Sequence, residues 1–162
     1  MAAHYYKMKS PIGNLNLVSS GDKLTALVFD QGWNNFVESE KLELIEKKDK
    51  LLLKTEKQLN EYFSGNRTEF DIPLEIGGTD FQNKAWKSLL TIPFGQTVSY
   101  AEQALKIKNP KAVRAVGAAN AKNKIAIIIP CHRVVGKNGS LTGFAGGLNT
   151  KQQLLELERS LK

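Results

Sequence analysis

Histidine and cysteine are scarce in this chain of 162 residues, which has two histidines, His4 and His132, and a single cysteine, Cys131. One cysteine cannot close an intramolecular disulfide, which fits a reducing compartment and excludes the stapled scaffolds of small secreted domains. It also excludes a cysteine-rich zinc site, and two histidines far apart in sequence do not supply one. No apolar run is long enough to cross a bilayer, and the opening MAAHYYKMKSP lacks an apolar signal core. A cytoplasmic protein with no membrane partner is expected. Low-complexity tracts and internal repeats are absent too.

Acidic residues are scarce in one half only. Residues 1–79 carry 10 basic and 12 acidic groups, whereas residues 80–162 carry 13 basic and 4 acidic. Scattered lysines serve solubility, but an excess confined to one half is the footprint of a polyanion-binding domain. The candidate phosphate contacts are Lys84, Lys87, Lys106, Lys108, Lys111, Lys122 and Lys124.

The first third, HYYKMKS, LNLVSS and LTALVFDQ, reads as strands punctuated by Pro11-Ile12-Gly13 and Gly21-Asp22. Residues 40–66 read as helical, with Leu52, Leu53, Leu59, Tyr62 and Phe63 near one face and Gly65 as the stop. TEFDIPLEIGG returns to extended chain, and Gly77-Gly78, where the charge changes sign, divides a domain 1–77 from a domain 78–162. The second domain reads as mainly helical. TDFQNKAWKSLL is capped by Thr79 or Asp80 and carries Phe81, Ala85, Trp86, Leu89 and Leu90 on one face. Ser99 and Glu102 form a capping box, and Asn109-Pro110 looks like the N-cap and first position of the next helix. A short helix, a turn and a second helix bearing Arg114 fit either a helix-turn-helix DNA reader or an ordinary helical pair. KIAIIIPCHRVV is expected to be buried and extended, ahead of a glycine turn and a last helix capped by Asn149 or Thr150.

A thiol attacks as its thiolate, which needs a base or positive surroundings. His132 and Arg133 adjoin Cys131, but neighbours on an extended chain point to opposite faces. By itself, the adjacency fits a buried structural cysteine better than a nucleophile.

Taken together, PCHRV, preceded by AVRAVGAAN and followed by GSLTGFAGGL and LLELE, resembles the O6-alkylguanine-DNA alkyltransferase family. The match is dense from Phe81 to Glu158. The strand-rich first half is similar in length and character to the family's variable ribonuclease-H-like domain. The resemblance implies an α+β chain with that domain followed by a mainly helical, winged-helix-like DNA-binding domain. It implies that Cys131 accepts the alkyl group once, irreversibly, with no cofactor or metal. His132 acts as base through a water, Glu158 orients His132, and Tyr100 gives a proton to the departing guanine. Arg114 fills the hole left by a nucleotide flipped out of double-stranded DNA, with Ala115 and Ala119 among the small residues permitting close approach. Asn123 lies in the turn before the active-site segment, and Val134, Val135, Phe144 and Gly146 line the base pocket. A monomer acting on alkylated guanine is implied, with alkylated thymine left open.

This chain departs from the family pattern at Lys124, where proline is common, at Phe144, where tyrosine is common, and at Ala145, where some members have serine. It also lacks the N-terminal zinc ligands of some relatives. Relatives with tryptophan in place of the cysteine only bind damaged DNA, and Cys131 sets this chain apart from them. Two other classes compete: a helix-turn-helix regulator with a structural or redox-sensing cysteine, and a cysteine hydrolase.

Overall fold

The computed structural model describes residues 2–41 and 43–161. The chain forms two compact units, one up to Ile76 and one from Gly77.

In the first unit, β1 (Ala2–Met8), β2 (Leu15–Ser20) and β3 (Lys23–Phe29) form an antiparallel meander. Its first turn ends at Gly13 (φ 107°), a left-handed conformation that glycine adopts without Cβ strain. Two elements here differ from the sequence expectation. Residues Asp30–Glu40 form helix α1, although Gly32, Asn34 and Asn35 are poor helix formers. What holds α1 is packing: Trp33 and Phe36 stack, with ring centroids 5.6 Å apart, and cover Ala3, Val18 and Ala26 together with Tyr5, Val28 and Leu44. Next, Glu43–Glu46, expected to be helical, is strand β4, which pairs in parallel with β1 at the sheet edge. Partnering by β1 outweighs a local composition that suits either state.

The long helix begins later than its sequence suggests, as α2 (Lys50–Phe63), because the Asp49 carboxylate accepts the Leu52 N–H at 2.8 Å and fixes the start. Its buried face is Leu52, Thr55, Gln58, Leu59 and Tyr62, whereas Leu53 is exposed. After α2 the chain returns extended and brackets Leu24, whose N–H donates to Pro73 O while its carbonyl accepts from Glu75 N.

The second unit comprises α3 (Asp80–Leu89), β5 (Val98–Ser99), α4 (Tyr100–Lys106), α5 (Val113–Ala121), β6 (Val134–Val135) and α6 (Leu148–Ser160). Thr79 with Gln82 and Ser99 with Glu102 complete reciprocal capping boxes on α3 and α4. Leu90 falls outside the buried face of α3. A buried polar clasp joins α3, α4 and α5. Gln103 Nε2 donates to Ala85 O, Ser88 Oγ and Asn120 Oδ1, each at 3.1 Å, and Asn120 Nδ2 returns a bond to Gln103 Oε1 at 2.7 Å. Such a network is specific because each buried amide left unpaired costs ~1–3 kcal/mol. Trp86 Nε1 adds a bond to Ala119 O at 2.8 Å.

Three expectations for this unit are corrected. Asn109 closes α4 instead of capping α5: Asn109 N–H donates to Ala104 O and Lys108 N–H to Leu105 O, with Lys108 left-handed at φ 62°. This is a Schellman closure, so α5 starts only at Val113 with Ala112 as its N-cap. The last helix starts at Gly147 (φ 91°) without a side-chain cap, which rules out Asn149 and Thr150 for that role. The segment 125–130 is buried but folded into turns, not extended. Ile129 N–H donates to Ile125 O, and Ile127 is left-handed at φ 71°. A run that is apolar at every position carries no period, so burial could be read from the sequence and conformation could not.

Candidate active site

The reactive segment is held by a short strand pair and a clamp. Parallel pairing of β5 with β6 sets Val98 opposite Val134 and Ser99 opposite Val135, which brings the start of α4 beside the chain leaving Cys131. On the other side, Asn123 spans the 125–129 turn: its Oδ1 accepts from Ile125 N at 3.0 Å and its Nδ2 donates to Ile129 O at 2.8 Å. The clamp balances the strain of a β-branched residue at positive φ, about 1–3 kcal/mol for Ile127. Cys131, His132 and Arg133 then form a single 3₁₀ turn. Successive side chains therefore rotate by about 120° rather than pointing to opposite faces.

Within this turn the three side chains part company. Cys131 stays partly accessible. His132 is fully buried, and its Nε2 lies 2.7 Å from Glu158 Oε2 on α6. Arg133 is buried and turns away from the sulfur to grip the same carboxylate: Nε donates to Oε1 at 2.8 Å, Nη2 to Oε2 at 3.0 Å, and Nη1 to Ile92 O at 2.7 Å. Gly95 N–H adds a bond to Glu158 Oε1 at 3.2 Å.

Burial alone would push the Glu158 carboxyl up, but the His132 hydrogen bond and the Arg133 fork hold it below the ordinary carboxylate range. An ionised carboxylate only accepts, so His132 Nε2 carries the proton. Burial, opposed by Glu158 and reinforced by Arg133 and Lys151, keeps the imidazole pKa low and the ring neutral. Its Nδ1, buried and without a hydrogen-bond partner among the described residues, is left as a bare acceptor. Desolvation pushes the Cys131 thiol up, while the Asn123 side chain and the charge of Lys151 pull it down less strongly. At neutral pH the sulfur is a thiol, and its proton has to be removed.

Lys151, which the sequence reading missed, therefore supplies the positive surroundings first attributed to Arg133. Its ammonium is buried, donates to Thr142 O at 2.9 Å and lies 5.9 Å from the Tyr100 ring centroid. Burial lowers its pKa, with Cys131 acting in the opposite direction. One sequence signal marked it: Lys151 stands three, four and seven residues before Leu154, Leu155 and Glu158, on the buried stripe of α6. The Tyr100 hydroxyl meets the same loop, accepting from Thr142 Oγ1 at 3.1 Å and donating to Thr142 O at 3.4 Å. Phe144 is half-buried in that loop and Gly146 is buried.

Arg114 and Ala115 lie exposed on α5, with Ala118 and Lys122 on the same side. Ala119 does not join them. It is buried on the opposite face against α3, with its carbonyl bonded to Trp86, whereas Ala118 is exposed. All seven candidate lysines are exposed. No helix is long and apolar enough to cross a membrane, among the described residues.

Comparison with known proteins places this geometry. The family description "6-O-methylguanine DNA methyltransferase, ribonuclease-like domain" matches residues 3–76, and "6-O-methylguanine DNA methyltransferase, DNA binding domain" matches residues 80–160. The chain is 49% identical over 158 residues to the methylated-DNA–protein-cysteine methyltransferase of Mycobacterium tuberculosis (strain ATCC 25618 / H37Rv), covering 97% of this chain and 93% of that protein. It is 41% identical over 161 residues to the constitutive enzyme of that name from Bacillus subtilis (strain 168), covering 96% and 95%. The crystal structure of Mycobacterium tuberculosis OGT in complex with DNA superposes with a TM-score of 0.88 at 47% identity, covering 98% of this chain and 94% of that one. The chain belongs to the 6-O-methylguanine DNA methyltransferase family.

Proposed function

We propose that this protein repairs double-stranded DNA by moving a methyl or larger alkyl group from O6 of guanine onto the sulfur of Cys131. The observation that carries this reading is a neutral, buried His132, its Nε2–H fixed on Glu158 and its Nδ1 bare, next in the chain to a partly accessible thiol.

The steps follow from that arrangement. The target base is flipped out of the duplex, since an attacking sulfur needs in-line access to the alkyl carbon. The α5 face bearing Arg114, Ala115 and Ala118 enters the minor groove, and Arg114 fills the vacated position. Backbone groups of Val134 and Val135 and the loop of Phe144 and Gly146 receive the base. His132 Nδ1 takes the thiol proton through a water, and the Lys151 ammonium and Asn123 stabilise the thiolate. Sulfur bonds to the alkyl carbon as the carbon–oxygen bond breaks, and the departing guanine takes a proton from Tyr100. A thioether remains, and no group in the chain reverses it, so each molecule reacts once. The protein acts as a cytoplasmic monomer and needs no cofactor.

Incubation with duplex DNA containing O6-methylguanine, followed by digestion and mass spectrometry, tests the reading. One methyl group per protein molecule on the Cys131 peptide is expected, and none after Cys131→Ser. Arg114→Ala should slow repair of the duplex far more than reaction with the free alkylated base. Several turnovers per molecule, or a label elsewhere, would overturn the assignment.

A further inference from the structure

Glu158 faces two basic groups: His132, which becomes a cation only on protonation, and Arg133, which is one already. We propose that Arg133 is a positioning residue for the transfer reaction, holding His132 in its neutral, proton-accepting form by occupying both oxygens of the Glu158 carboxylate. The proposal rests on the reading of His132 as the base.

A buried carboxylate 2.7 Å from an imidazole normally draws a second proton onto the ring, because an opposite charge favours the charged form. A His132 that sat as imidazolium would carry a proton on Nδ1 as well and could accept nothing from the thiol. Arg133 removes that pull. Its Nε reaches Oε1 and its Nη2 reaches Oε2, so the carboxylate is already neutralised in the folded protein. A proton on His132 would then leave a net positive charge in a buried site, which is costly.

The other ionisable groups that act on the ring point the same way. Lys151 on α6 adds positive charge, and Cys131 in the same turn rests as an uncharged thiol. Two further contacts keep the fork aimed at Glu158: Nη1 donates to Ile92 O at 2.7 Å, and the guanidinium lies 5.8 Å from the Phe94 ring centroid. A lysine could neutralise the carboxylate but could not grip both oxygens through one planar group.

The chain's two histidines make the test clean. His4→Gln, in the other unit and outside the transfer machinery, leaves one imidazole to follow by ¹⁵N NMR. In that background, Arg133→Met is expected to raise the His132 titration midpoint by about 1–3 pH units. The acid limb of the transfer-rate profile should move up with it. Arg133→Lys should raise both by less. Midpoints unchanged or lowered in both variants would overturn the proposal. If Arg133→Met does not fold, an unchanged midpoint in Arg133→Lys overturns it alone. Failure of the base assignment itself looks different: the acid limb of the unmodified protein would not track the His132 midpoint, whatever Arg133 does to that midpoint.

Discussion

Each unit of this protein holds one histidine against one carboxylate at nearly the same distance. In the first, His4 Nδ1 lies 2.8 Å from Asp49 Oδ2; in the second, His132 Nε2 lies 2.7 Å from Glu158 Oε2. What differs is the surroundings. His4 is about one-third exposed, while His132 and Glu158 are shut off from solvent. Asp49 spends its remaining capacity on structure, accepting from the Leu52 N–H at the start of α2 and from Ser19 Oγ at 2.6 Å. Glu158 spends its own on Arg133, and the free nitrogen of its histidine is left bare on the residue next in the chain to a thiol. The first pair is a fastener and the second is proposed as a base, because chemistry needs an open acceptor atom, a dry setting and a nucleophile nearby.

The sharpest way to break this comparison is to remove each imidazole in turn. His132→Ala should slow alkyl transfer by about 10²–10⁴-fold, the usual contribution of a general base. His4→Ala should leave the rate unchanged. Single-turnover kinetics on the same methylated duplex measures both, and equal effects would show that the two pairs are not functionally distinct.

The carboxylates should separate next, in stability. Glu158→Gln leaves the buried Arg133 guanidinium without its counter-charge, which typically costs ~3–5 kcal/mol. Asp49→Asn keeps an oxygen that can accept the Leu52 N–H but gives up the charge on which Ser19 and His4 bond, so a smaller loss of about 1.5–3 kcal/mol is expected. The pH dependence follows from the directions of the shifts. The unfolded chain protonates His132 below about pH 6.5, while the folded protein resists doing so, so stability falls as pH drops below that value. The depressed carboxyls of Glu158 and Asp49 contribute stability that is present above their unfolded pKa values and lost further down the acid range. Denaturant unfolding across pH should therefore show an early acid loss that His132→Gln removes.

How far the sequence displayed all this depends on whether a signal was local. Capping signals are local: Ser99 with Glu102 forms the box the spacing predicts, and Thr79, one of two cap candidates, starts α3. The motif around Cys131 is dense enough to name the family. Helix α1 and strand β4 were hidden because tertiary packing of Trp33 and pairing with β1, not propensity, decide those residues. Asn109-Pro110 has the composition of a helix start, yet the preceding helix uses Asn109 to close itself. In the site, Cys131, His132 and Glu158 were legible as a set, but the grip of Arg133 on Glu158 was not. A cation beside a cysteine reads as its activator until the backbone turn shows which way it points. Ala119 was misplaced for a similar reason: the face of a short alanine-rich helix cannot be assigned without knowing what covers it.

The smallest effect tests whether the first pair is only a fastener. His4 and Ser19 face each other across β1 and β2, and both reach Asp49 Oδ2, while Oδ1 of the same carboxylate anchors α2. Ser19→Ala removes one of the three hydrogen bonds on that carboxylate and leaves no unpaired donor behind, because the hydroxyl leaves with its proton. The cost should be that of one charge-assisted bond after competition with water, about 1.5–3 kcal/mol at most, and lower here because Asp49 stays close to solvent. The Asp49 pKa should rise, since the Ser19 hydroxyl is the strongest of the contacts that hold it down. Stability at neutral pH should then fall slightly, and the acid loss that starts near the unfolded pKa should be smaller and end at a higher pH. Transfer kinetics should not move at all. A Ser19→Ala protein that is as stable as its parent but slower in alkyl transfer would mean that the first pair does more than fasten.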